Sequence, residues 1–470
     1  MLTNPAAVAI REELTRRRFL CGGGSFAASA ALASLLAGAE KRQSRAPHFA
    51  PRAKRVISLF MSGGPSHVDL FDDKPLLRKL DGKPMPKEII GNHEFAMIKS
   101  GEPRMKGSPF KLLPRGKSGT VISELLPRLS KVADEISVVR SLHTDTFNHD
   151  PAVTMMNTGF VTFGKPSMGA WLSWGLGSEN SDLPAYTVLV SGVKLQPLLT
   201  NYWGSGFLPS RHQGVQFRSK GDPVLFLSNP PGVDSGVRRR QLDLLGWMNS
   251  RHYDRVGDPE IRTRIEAFEL GYRMQSSVPG LMDISKEPQS VHELYGTKPG
   301  QVSFSNNCLL ARRLVEQGVR CVQLYHTGWD QHGTIEKDHR RQCAAVDQGA
   351  AALLVDLKSR GLLDETLVVW GGEFGRTPMA QGGGRNYGRD HHPHGFSVWM
   401  AGGGIKPGFT FGETDEYGYF ATEDKVHVHD LHATILHCLG LDHRRLVHRF
   451  QGRDFRLTDV EGRVVRELLA

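Results

Sequence analysis

Cysteine is scarce in this chain, with five in 470 residues. Cys21 stands near the N-terminus, and Cys308, Cys321, Cys343 and Cys438 are far apart with no C-x-x-C pair. At this length that spacing argues against a disulfide framework. It leaves either one or two isolated bridges or buried free thiols. No apolar run reaches the ~20 residues that a membrane span needs. Cys21–Leu36 comes nearest, and it is short and weakly apolar, rich in Ala, Gly and Ser. There is no basic helix and no basic stripe interleaved with aromatics, so the usual signature of nucleic-acid binding is missing. No internal repeat is found.

What is present describes a soluble globular protein: 39% hydrophobic and 23% charged residues. The chain is long enough for one large domain or two ordinary ones, with a sizeable core. Glycine is abundant, at 52 residues, which suits many tight loops. Histidine is abundant too, at 20 residues, many of them gathered in a few short segments.

The N-terminus carries an export pattern. Thr15-Arg16-Arg17-Arg18-Phe19-Leu20 sets twin arginines before the apolar segment, and Ala37-Gly38-Ala39 is an A-x-A cleavage site. Residues 1–39 are therefore expected to be a twin-arginine export signal, the alternative being an uncleaved anchor. The signal implies the twin-arginine export machinery as a partner and a periplasmic or extracellular location. It also implies no stable membrane span after cleavage. Cleavage lowers the net charge from +10 to +8, since four Arg and two Glu leave. A basic exported protein favours an anionic partner, unless the charge serves solubility alone. Residues 40–54 are expected to form a flexible leader and residues 55–465 one domain, with an insertion or cap at about 191–300.

Five segments carry the chemistry. Val56–Met61, Ile136–Ser141, Val319–Tyr325 and Leu367–Trp370 have the composition of buried strands, and so does Phe396–Met400. Asn306–Gln317 between Ser305 and Gly318, and Asp338–Arg360 before Gly361, read as helices that alternate with them. Val121–Asp134 reads as a helix before the second strand, and His149–Thr158 as another after it. The order predicts an α/β fold with a mostly parallel central sheet and helices on both faces. Ligands in such sheets bind beyond the carboxyl ends of the strands. His67 and Asp69 follow the first strand, Asn148 and His149 the second, and Asp330 and His332 the third. Glu373 and Arg376 follow the fourth, whereas Arg389, His391 and His394 precede the fifth. This last group reaches the same edge only if the fifth strand is antiparallel. Imidazoles and carboxylates so gathered are metal ligands or acid/base groups. The candidate ligands are Asp330, His332, Glu373, His391, His67 and Asp69. Arg376 is the candidate clamp for an anionic ester oxygen, and Asn148, Arg389 and His394 are candidate substrate contacts.

The segments together resemble a known family. Ser62–Asp72, Asn148-His149-Asp150-Pro151-Ala152, Gly328-Trp329-Asp330-Gln331-His332, Gly372–Pro378 and Gly388-Arg389-Asp390-His391 match the exported bacterial family called domain of unknown function 1501. That family is described as sulfatase-like and placed in the alkaline-phosphatase-like superfamily. The resemblance implies a three-layer sandwich, one or two divalent ions (Zn, Ca, Mg or Mn) and cleavage of sulfate or phosphate esters. Asp330 and His332 look like one ligand pair, Glu373 like the acid of the superfamily's Asp-His element, and His391 like its late histidine. The chain departs from the pattern at one decisive place. His149 stands where sulfatases carry a Cys or Ser nucleophile, so it is left as base, covalent nucleophile or ligand. The expectation is an exported metal-dependent hydrolase of anionic esters. The alternative is a non-catalytic binder of anionic glycans on a degenerate hydrolase fold, with an ester-transferring enzyme a third reading.

Overall fold

The first strand sets two layers by alternation. In β1 (Arg55–Ser62), Ile57, Leu59 and Met61 enter one apolar core while Val56 and Phe60 enter another. A strand with apolar side chains on both faces must be covered on both. The computed structural model describes residues 46–470 apart from 92, 94, 99–101 and 194–197. The export signal expected in residues 1–39, and the leader up to residue 45, lie outside the described residues.

The central sheet has nine strands. After β1 come β2 (Ile136–His143), β3 (Tyr186–Gly192), β4 (Val215–Phe217), β5 (Cys321–Thr327), β6 (Thr366–Gly371), β7 (Phe396–Ala401), β8 (Phe409–Phe411) and β9 (Val426–His427). Their order is β8-β2-β7-β6-β1-β5-β3-β4, with β9 also pairing β2. Strand β7 is antiparallel to both neighbours, and the other pairings of this sheet are parallel.

Helices cover both faces. The long ones are α1 (His149–Thr158), α2 (Met168–Leu176), α3 (Ser235–Val256), α4 (Pro259–Met282), α5 (Phe304–Glu316), α6 (Ile335–Ser359) and α7 (Val428–Cys438). Leu310 and Leu314 of α5 and Leu353 and Leu357 of α6 share the core of Ile57. Val153 of α1, Trp171 of α2 and Leu431 of α7 share the core of Phe60. The expected α/β sandwich with its mostly parallel sheet is the fold the chain adopts, and the condition set for the fifth predicted strand is met, since β7 is the reversed one.

Several local expectations differ. Residues 121–134 form no α-helix. Thr120–Ser123 pairs with Leu112–Arg115 as a hairpin, and a 3-10 segment follows at Leu129–Glu135. The β-branched Thr120-Val121-Ile122 run favours the strand. The Asp347 carboxylate then accepts from the backbone N–H of Arg128 and Leu129 at 2.8 Å each, which fixes a tight turn there. The cap of α5 is Ser303, whose Oγ accepts from Asn306 N at 3.0 Å, and Ser305 lies inside the first turn. Strand β5 starts at Cys321, two residues after Val319. The end of the expected leader is docked. The N–H groups of His48, Arg52 and Ala53 donate to the carbonyls of Gly440 and Cys438 at the C-terminal end of α7, and Ala53 is buried. Cys308, Cys321, Cys343 and Cys438 are all free and buried, so the open choice resolves to thiols.

Candidate metal centre

Strands β1, β2, β5 and β6 run in one direction and end on one edge. The reversed β7 starts at that edge, so residues before it arrive where the others depart. His149 opens α1 after β2, Asp330 and His332 follow β5, Glu373 follows β6, and His391 precedes β7. Glycine permits the close packing of these loops. Gly63 has φ +120°, and a Cβ there would lie 2.3 Å from Asp330 N.

Asp330 Oδ1 is the centre. It lies 2.9 Å from His332 Nε2, 3.2 Å from His391 Nε2, 3.2 Å from His149 Nε2 and 2.7 Å from Arg376 Nη2. One ligand atom from each of His149, Asp330, His332 and His391 falls within a span of 4.8 Å. The far nitrogen of every ring is held. His149 Nδ1 donates to Glu373 Oε1 at 2.8 Å, His332 Nδ1 to Gln381 Oε1 at 2.5 Å, and His391 Nδ1 to the Phe147 carbonyl at 2.7 Å. With Nδ1 protonated, each Nε2 is the free position and faces the centre. His332 Nε2 and His391 Nε2 are 3.0 Å apart. Two such nitrogens need a proton or a cation between them. His149 Nε2 sits near Asp330 but off hydrogen-bonding angle, and has no hydrogen-bond partner.

Charge is balanced at this centre by protons when no ion is bound. Burial raises the Asp330 carboxyl, but the three histidine rings beside it and the Arg376 charge outweigh it and hold the group far below the carboxylate range. Burial lowers His149, but the Asp330 and Glu373 carboxylates prevail and raise it to about 9. Burial lowers His391 to about 4 against the pull of Asp330.

A pocket of about 440 Å³ opens onto His149 and Asp330, walled by Ser62, Asn148, Asp150, Leu198 and Tyr202. Asn148 is the N-cap of α1, and the helix presents its N-terminus to the pocket. Tyr202 OH donates to Asp150 Oδ1 at 2.8 Å across that wall. Tyr202 comes from the aperiodic stretch after β3, where no sequence pattern marks it. Gln381 and the Phe147 carbonyl, which orient two of the rings, carried no signal either.

Other predicted site residues are placed elsewhere. Glu373 is fully buried and stands behind His149, where it also accepts from Gly63 N at 2.8 Å. Asp69 lies outside this cluster. It forms a buried bidentate pair with Arg389, at 2.7 and 3.1 Å, and accepts from Ser66 Oγ. Arg389 directs its remaining donors to the carbonyls of Lys106, Gly107 and Thr377, so it has none for substrate. Arg376 is likewise buried and braced. Its guanidinium donates to the carbonyls of Gly63, Gly64 and Arg389 and to Asp330, which leaves no fork for an ester. His67 Nε2 donates to the Gly418 carbonyl at 2.8 Å, away from the centre, and burial lowers its pKa. His394 packs on His93 and Phe420 instead of lining the pocket. Outside the candidate set, His429 and His432 tie α7 to α1 through the carbonyls of Gly159 and Met156.

A family model described as "Protein of unknown function (DUF1501)" matches residues 53–469. The chain belongs to this family. Its match begins where Ala53 docks and ends one residue before the C-terminus. No curated protein gives a significant match. Among solved structures, a sulfatase from Pseudoalteromonas sp. is 12% identical, covering 83% of this chain and 68% of that one at a TM-score of 0.34. An alkaline phosphatase from the Antarctic bacterium TAB5 is 9% identical, covering 83% and 99% at 0.32. A phosphonate monoester hydrolase from Silicibacter pomeroyi is 13% identical, covering 73% and 71% at 0.33.

Proposed function

We propose that this family member is an exported, metal-dependent hydrolase of anionic esters, sulfate or phosphate, including those carried on glycans. The observation that carries the reading is the convergence of three imidazole Nε2 atoms and one carboxylate oxygen, each ring fixed from behind through Nδ1. His149, Asp330, His332 and His391 would hold the ion. Three nitrogen donors favour zinc or a similar transition metal over calcium or magnesium, which prefer oxygen. When bound, a divalent ion there supplies Lewis acidity toward an anionic ester oxygen.

The chain's own groups prepare the rest. The N-terminus of α1 favours a negative group at Asn148. Leu198 and Tyr202 line the pocket beside it. Glu373 keeps the His149 ring in place, so of the roles open to His149 the ligand role fits best. Metal analysis and an ester panel test the reading. Purified full chain should carry one transition-metal ion and release sulfate or phosphate from an aryl ester. Asp330→Ala and His391→Ala should lose both properties. Unchanged turnover in both variants would sink it.

The glycan-binding reading keeps one supporting observation. No Ser, Thr or Cys occupies the start of α1, where His149 stands. Tight binding on a glycan array, with no turnover of the bound glycans, would favour it.

A further inference from the structure

Helix α3 has 22 residues and buries only Leu242. Its packed side follows from its contacts. From Arg240 onward, Leu242, Gly246, Asn249 and Tyr253 are the less exposed positions, and Arg239 pairs with Glu269 of α4 at 2.5 Å. At about 100° per residue that side is centred near Gly246. The opposite side holds Arg240, Leu244, Trp247, Met248, Arg251 and Arg255, all within one arc of about 100°. Leu244, Trp247 and Met248 are 57%, 58% and 53% exposed. Arg251 lies over the Trp247 ring at 4.9 Å. Apolar side chains spaced i, i+3, i+4 and flanked by arginines form a compact, uncovered stripe. It contains no acidic residue.

The composition limits what covers this stripe. Five arginines and two aspartates keep α3 from crossing a bilayer, and no described helix is apolar enough to do so. A two-fold contact between copies would set the three arginines of one stripe against those of the other. An anionic surface meets both halves of the pattern: arginines pair with lipid headgroups, while Leu244, Trp247 and Met248 enter the acyl boundary. We infer that α3 docks this protein on membranes rich in anionic lipid, lying in the interface along the Leu244–Trp247–Met248 stripe. The metal centre plays no part in this contact.

Co-sedimentation of the full chain with vesicles tests it, comparing phosphatidylcholine alone with phosphatidylcholine containing phosphatidylglycerol. The wild type should pellet with the anionic vesicles and stay in solution with the neutral ones. Trp247→Ser with Met248→Ser should weaken partitioning by about tenfold or more, as should Arg240→Glu with Arg251→Glu and Arg255→Glu. A control with the same charge change elsewhere, Arg104→Glu with Arg341→Glu and Arg449→Glu, should retain most of the binding. Equal loss in that control would mean a whole-surface charge effect and overturn the proposal. So would absence of pelleting, unchanged pelleting of the Trp247 variant, or a wild-type dimer that Trp247→Ser converts to monomer.

Discussion

Replacing Asp69 by Asn separates a structural brace from a metal ligand. The two carboxylate oxygens lie 2.7 and 3.1 Å from the Arg389 guanidinium, and both residues are fully buried. Burial raises the Asp69 carboxyl, but the Arg389 charge and hydrogen bonds prevail and hold it at about 2, below an ordinary 3.8. At roughly 1.4 kcal/mol per unit that difference is worth about 2 kcal/mol between ionised and protonated forms. The group is depressed in the folded state, so this stability is present above pH ~4 and is lost as pH falls through ~2. Asparagine costs more than protonation alone, because it permanently leaves a buried guanidinium without its counter-charge. Breaking such a pair costs about 3–5 kcal/mol. With a urea slope of about 4 kcal/mol/M, above the small-protein range because more surface is exposed, the midpoint should fall by about 1 M. Urea unfolding followed by circular dichroism reads that shift, and elemental analysis reads the ion. A structural brace at Asp69 requires loss of stability with the ion retained. A variant of normal stability that has lost its metal would refute it and return Asp69 to the ligand set.

Glu373→Gln should keep the fold and weaken metal affinity about 10–100-fold, because it removes the anionic partner that orients His149. A chelator competition measures this, and unchanged affinity would show that His149 needs no such support. Metal binding should release one proton at pH 7, since His149 is held protonated with a pKa of about 9 until its Nε2 is taken by the ion. Affinity should therefore rise about tenfold per pH unit up to about pH 9 and then level. Titration calorimetry in buffers of different ionisation enthalpy tests this, and a pH-independent affinity would contradict the charge balance at Asp330.

The sequence made the architecture legible because buried strands and helices alternate with clear stops, Gly159, Gly361 and Gly440 among them. It also placed His149, Asp330, His332 and His391 on one edge, because strand direction alone decides where post-strand residues arrive. Strand direction cannot say which way a side chain turns. Asp69, Arg376 and Arg389 occupy the same kind of loop as Asp330, yet they face inward: Asp69 and Arg389 pair with each other, and Arg376 donates to backbone carbonyls and to Asp330 itself. Glu373 was legible as part of the site but not as the group behind a ligand, which depends on one atom's reach. Val121–Asp134 misled because its helical composition yielded to hairpin pairing and to Asp347, more than 200 residues away. Tyr202 and Gln381 were invisible because their roles come from contacts across the chain.

Strand β7 joins two parts of the sheet that do not otherwise touch along it. On one side, β2 leads into His149, and on the other, β5 leads into Asp330 and His332. His391 stands at the head of the joining strand itself. An ion held by all four would therefore staple the two sides together at the open end of the seam. Its binding free energy would be added to the cohesion of the sheet. Chelation would then loosen the β2 side first, and hydrogen exchange in β2 and α1 would report metal occupancy more sharply than exchange in β1 or β5.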